Sequence, residues 1–176
     1  MTVLPGSFYW ACYSTGLGAL LHELGHTLDL GHTATGIMCR GDNIYLAFLP
    51  APNPTDLQMG TNASYVCGTE DLETDDQPHW ARSSSVMLHF HKWLNPEKDE
   101  LTSTLSAPYL KGNRLICPQG LGVVEFRNQQ GLCLSHQEFL KYPLPTELKL
   151  KANPAVRCLV ALDSKGNLLK TSLDLT

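Results

Sequence analysis

No stretch of this sequence concentrates positive charge: 13 lysines and arginines stand against 17 aspartates and glutamates, for a net charge of −4 at neutral pH. Nucleic acid and anionic membrane surfaces recruit basic clusters, so neither is expected as a partner. Long apolar runs are missing too. The longest, Ile44 to Pro50, falls well short of the roughly 20 residues that cross a bilayer. Met1 to Ser14 has neither a basic start nor a clean apolar stretch, so no signal peptide is evident and a soluble chain of the cytoplasm or nucleus is expected. Six cysteines are present (Cys12, Cys39, Cys67, Cys117, Cys133, Cys158), but they lack the close spacing of a disulfide framework. Without a secretion signal they are expected to be reduced thiols. The acidic run Glu70 to Asp76 lacks the EF-hand spacing and reads as solvated surface, and no internal repeat is visible.

Against these absences stands one dense stretch, His22-Glu23-Leu24-Gly25-His26-Thr27-Leu28-Asp29-Leu30-Gly31-His32. On a helix of 3.6 residues per turn, His22 and His26 lie one above the other, so both can reach a single ion. Glu23 sits beside them, placed to act on a water that the metal holds. Leu17, Leu20, Leu21, Leu24 and Leu28 cluster on the opposite face, which predicts an amphipathic helix with core on one side and site on the other. Thr15 or Ser14 is the expected N-cap, and Gly16 and Gly18 are expected to let the entering chain come close.

The third histidine follows six residues after the second, just past Gly31, where the helix can end and the chain can turn back. Gly36-Ile37-Met38 comes next. Three imidazoles with an open fourth position describe a catalytic zinc site, since structural sites fill all four positions with protein ligands. One Zn2+ per chain is expected.

With these residues the chain resembles the metzincin metallopeptidases, whose pattern is HExxHxxGxxH followed by a methionine-containing turn beneath the metal. The resemblance implies that His22, His26 and His32 ligate zinc, that Glu23 is the general base, and that Met38 is the methionine of the turn. The longer string from Ser14 through Leu46 is similar to an uncharacterised eukaryotic family of zinc metallopeptidases first noticed in fungi, with looser likeness at His79-Trp80 and His89-Phe90-His91. Two positions depart from the metzincin pattern. Asp29 stands where it has glycine, and Asp tolerates a left-handed conformation better than most residues, with Gly31 expected to supply further freedom. Arg40 stands where some metzincins place a tyrosine near the zinc; it reads as a solvated loop arginine. In metzincins a twisted sheet precedes the active-site helix and its edge strand pairs with substrate. Only about 13 residues precede the helix predicted here, so that N-terminal subdomain is expected to be missing.

The remainder of the chain is less specific. Leu49 to Pro78 is rich in Pro, Asn, Asp, Thr and Gly and reads as a long loop. Val86, Phe90, Trp93 and Leu94 recur at helical spacing, predicting a second helix over Arg82 to Leu94 that packs under the site. His79, His89, His91 and His136 are expected at the surface or in the core, not as ligands, and Cys12 and Cys39 as small buried apolar residues. After Asn95-Pro96 come short β-forming runs: Arg114 to Cys117, Gly122 to Phe126, Leu132 to Ser135, Val156 to Leu162 and Leu168 to Leu173, the last two joined by a hairpin at Asp163-Ser164-Lys165-Gly166-Asn167.

The expected fold is therefore α+β. A metzincin-like zinc-helix remnant with its methionine turn occupies residues 1–98, and a small antiparallel β-domain occupies 99–176. The expected activity is zinc-dependent hydrolysis of peptide bonds in a peptide or protein substrate. The alternatives are an inactive zinc-containing pseudo-peptidase that serves as a protein-binding module, and a zinc hydrolase acting on something other than peptides.

Overall fold

Leu121–Arg127 (LGVVEFR) reads as an almost uninterrupted buried run, which is what a strand covered on both faces requires. In the computed structural model, which describes residues 6–39, 79–95 and 106–173, this strand is central. The elements in chain order are α1 (Gly6–Thr27), α2 (Arg82–Phe90), a 3-10 turn (Lys92–Leu94), β1 (Tyr109–Lys111), β2 (Arg114–Ile116), β3 (Leu121–Arg127), β4 (Cys133–Glu138), β5 (Glu147–Lys149), β6 (Cys158–Asp163) and β7 (Leu168–Ser172). They form an antiparallel four-stranded sheet of order β4-β3-β6-β7 and a three-stranded sheet of order β1-β2-β5.

Two cores sandwich the four-stranded sheet. On one face Val123, Val160 and Leu162 meet Val86, Met87 and Phe90 of α2 together with Leu28, Leu30 and Met38. On the other, Leu121, Val124, Leu159 and Ala161 meet Leu115, Cys117, Leu150, Val156 and Leu173. Leu121 and Val123 would share a face in a regular strand. A bulge between them shifts the register against β6 and sends them to opposite cores. The same shift turns Glu125 and Arg127 toward the side of Val123, the side on which α1 ends. Gly122 lets α2 lie flat on β3, because a Cβ there would come within 2.7 Å of the Phe90 ring.

Several expectations change. Helix α1 begins at Gly6, so Ser14 and Thr15 lie inside it and do not cap it, and Gly16 and Gly18 are helical; nothing lies within 4 Å of where a Cβ on Gly16 would be. The leucine stripe meets the core only at its C-terminal end: Leu28 is buried, whereas Leu20 is 65% and Leu24 47% exposed. The groups that pack on the sheet come from the last turn of α1 and the chain beyond it. The second helix stops at Phe90, where His91 turns extended, and Trp93 and Leu94 point outward. Strands β1 and β5 were not expected, being three residues each with exposed ends. The other five expected strands are present within a few residues, and the β6–β7 hairpin forms with the Asp163 carboxylate accepting from Lys165 N, Asn167 N and Asn167 Nδ2, each at 2.8 Å. The long loop and Arg40 lie outside the described residues.

Candidate metal centre

The end of α1 sets the geometry. Leu30 N donates to Gly25 O at 3.0 Å and Asp29 N to His26 O at 3.1 Å, while Asp29 itself has φ 59°. This pair of reversed bonds around one left-handed residue is a Schellman motif, with Asp29 where glycine is usual and Leu30 folded back against Gly25. The turn directs the Leu30 carbonyl to His26, whose Nδ1–H donates to it at 3.1 Å. His22 is served from the next loop, its Nδ1–H donating to Ile37 O at 2.8 Å. A carbonyl can only accept, so both rings carry the proton on Nδ1 and present the lone pair of Nε2, the tautomer that a metal ligand needs.

His32 is placed by the sheet. Its N–H donates to Gly131 O at 3.0 Å, its carbonyl accepts from Cys133 N at 2.8 Å, and the two chains run parallel there at the entrance to β4. Beyond it the loop closes on itself, Thr33 N donating to Met38 O at 2.9 Å, with Gly36 at φ 76° and Ile37 N bonded to His79 O at 2.9 Å. Met38 is fully buried and its sulfur presses on the backbone of Gly25, where any side chain would collide with it.

The three rings converge. Their centroids are 4.7 Å (His22–His26), 5.3 Å (His22–His32) and 4.7 Å (His26–His32) apart, and one nitrogen from each lies within 4.8 Å of the others. Zinc–nitrogen bonds of about 2.1 Å in a tetrahedron put ligand nitrogens about 3.4 Å apart, so the group holds an ion after closing by roughly an ångström. The donor set fits zinc: three neutral imidazoles, two with their tautomer fixed by backbone. Glu23, the neighbour of His22 on the helix, is exposed. Among the described residues no other group of His, Cys, Asp or Glu gathers in this way. His79, His89, His91 and His136 stand apart, and Cys39 donates to Ala34 O at 3.1 Å. The Cys133 thiol is pushed up to about 11, chiefly by burial and then by the Glu125 charge, and it does not belong to the group of converging ligand atoms. A cavity of about 570 Å³ between α2 and the Phe139–Leu144 segment contains none of the three histidines.

Sequence reasoning did not find the support beneath this turn. Arg127 donates through Nη2 to Asp29 O at 2.6 Å and through Nε to Glu125 Oε2 at 2.8 Å, both side chains being buried. Gly31 is needed for close approach, not for φ freedom: a Cβ there would lie 2.5 Å from Arg127 Nε. The available signal was an acid and a base two residues apart inside an otherwise apolar strand.

Comparison with known proteins gives a family model, described as "Putative peptidase family", that matches residues 6–133. A Schizosaccharomyces pombe protein named as a putative zinc metalloproteinase is 51% identical over 129 residues, covering 70% of this chain and 20% of its own length. A Saccharomyces cerevisiae protein named in the same way is 26% identical over 153 residues, covering 77% of this chain and 21% of its own. The chain thus spans about a fifth of the length of these curated relatives. No solved structure matches.

Proposed function

Since the chain belongs to this peptidase family, matched over residues 6–133, we propose that it is the metal-binding part of a metzincin-type zinc metallopeptidase. The observation that carries the reading is the convergence of His22, His26 and His32, with the Nδ1 protons of the first two committed to backbone carbonyls. These residues hold one zinc ion. When bound, zinc supplies a Lewis acid that polarises a peptide carbonyl and makes water acidic enough to ionise near neutral pH. Glu23, one residue from His22 and open to solvent, accepts the proton of the attacking water and returns it to the leaving amine. Met38 serves as the apolar floor of the site, buried against Gly25 and making no bond to the ion. Both relatives carry zinc and proteolysis in their names, which supports the same chemistry here.

Hydrolysis also needs the scissile bond held against the site, and positioning is worth about 7–11 kcal/mol of barrier. We assign that task to parts of a longer protein beyond the fifth of the relatives' length that this chain spans. Elemental analysis and a peptidase assay test both halves of the proposal. The 176-residue chain should hold one zinc, His26→Ala should lose it, and Glu23→Gln should keep it. A chain extended toward the relatives' length should cleave unstructured peptides orders of magnitude faster, with Glu23→Gln abolishing the gain. Absence of zinc from the wild type after reconstitution overturns the metal centre. Rapid Glu23-dependent cleavage by the short chain overturns the division of labour.

A further inference from the structure

We propose that Arg127, oriented by Glu125, is a positioning residue for the metal centre: from the central strand it locks the turn that joins the second histidine to the third. The inference rests on the metal-centre reading above. The turn from Asp29 to Gly31 sets where His32 sits relative to His22 and His26. Arg127, 98 residues away in sequence, grips this turn at two points: Nη2 donates to the Asp29 carbonyl at 2.6 Å, and the guanidinium lies so close to Gly31 that no side chain fits between them. The Asp29 carbonyl lies past the helix end, outside the reversed bonds that close the turn, and Arg127 serves it.

Glu125 fixes the angle of the grip. Two residues earlier on the same strand face, it takes Nε at 2.8 Å and Nη2 at 2.6 Å on its Oε2, with 0% of its side chain and 5% of that of Arg127 exposed. Its other oxygen, Oε1, has no hydrogen-bond partner among the described residues. A buried ion pair is a poor way to gain stability, because desolvation of both charges commonly offsets their attraction and apolar residues of similar volume do as well or better. A pair with one oxygen unserved is poorer still. Apolar replacements, however, cannot hold a carbonyl. What the pair does and they do not is fix the Asp29–Gly31 backbone, and with it the third imidazole. Lys cannot substitute, since an ammonium lacks the planar fork that reaches both the carboxylate and the carbonyl in one orientation.

The test separates positioning from folding by using the full chain, zinc affinity from competition with a chromophoric chelator, the visible spectrum of the Co2+-loaded protein, and thermal unfolding of the metal-stripped protein. Arg127→Lys and the double variant Glu125→Met/Arg127→Met should both lose zinc affinity by about 10–100-fold, the range for residues that orient metal ligands. Their Co2+ spectra should shift and weaken. The double variant should unfold, metal-stripped, at or above the wild-type temperature, and Arg127→Lys should recover no more affinity than the double variant does. Wild-type zinc affinity and Co2+ spectrum in the double variant overturn the inference while leaving the metal centre standing. A wild-type chain that takes up neither metal overturns the metal centre itself, and this inference with it.

Discussion

Position 29 asks for a left-handed backbone, and the chain meets it with aspartate at φ 59°. For an L-residue that conformation costs about 1–2 kcal/mol, less for Asp and Asn, whose short polar side chains bond locally, and most for β-branched residues. Little of the cost is returned by the side chain, whose ion pair with Lys170 is long, at 3.4 Å, and solvent-exposed on the lysine side. Asp29→Gly should therefore leave stability unchanged or raise it by up to about 1 kcal/mol, whereas Asp29→Val should lower it by about 1–2 kcal/mol. Urea midpoints measure both. Zinc affinity should survive the glycine change, because the contact with Arg127 is made by the main-chain carbonyl of residue 29. That Asp29 accepts the left-handed role was legible from residue type alone. That Gly31 is required by a guanidinium from another strand was not.

At the scale of elements, the end of α1 rests on the 36–39 loop where Met38 packs against Gly25 and where His22 Nδ1 donates to Ile37 O. Two effects of Gly25→Ala oppose each other. Alanine favours a helix interior over glycine by about 0.5–1 kcal/mol. Its methyl group, however, would drive into a side chain with no exposed surface, and overpacking a filled core costs about 1–3 kcal/mol. Methionine bends more easily than other core residues, which limits the loss. A net destabilisation of about 1 kcal/mol is expected by thermal melting, with zinc binding weakened because Ile37, the neighbour of Met38, carries the carbonyl that orients His22. In a Met38→Ala background the same change should become neutral or favourable, the non-additivity expected of residues in contact. The helix-spaced histidines and the methionine after them could be read without a structure, and so could five of the seven strands, since each follows from a local period. Strands β1 and β5 could not: each is three residues with both ends exposed, and pairing with β2 defines them.

Over the whole molecule, the candidate ligands come from two layers. His22 and His26 belong to α1, while His32 is bonded on both sides to the start of β4. Helix end, α2 and sheet also share one core, with residues from both the 1–98 and the 99–176 segments. An ion bound by all three histidines should thus stabilise helix and sheet together. Free zinc at a hundred times its dissociation constant adds about 2.7 kcal/mol, roughly 5–10 °C in melting temperature for a chain of this size. Circular dichroism should show the helical and strand signals moving as one, and His32→Ala should remove the shift. A helix signal that moves without the strands would show that the ligands do not bridge the layers.

What the sequence by itself determined is the candidate site's residue set: two histidines one helical turn apart, a glutamate beside them, a third histidine past a glycine, and a methionine beyond. Those spacings are local, and helical geometry alone puts His22 and His26 on a shared face. What only the tertiary structure decided is how the third histidine is held. Its backbone partners lie at Gly131 and Cys133, and the turn before it is gripped by Arg127. Such contacts depend on a strand register that a bulge at Leu121/Val123 resets, because one residue of slip would turn Glu125 and Arg127 away from the helix. Local periodicity carries no information about that slip; only the packing of both faces of β3 does.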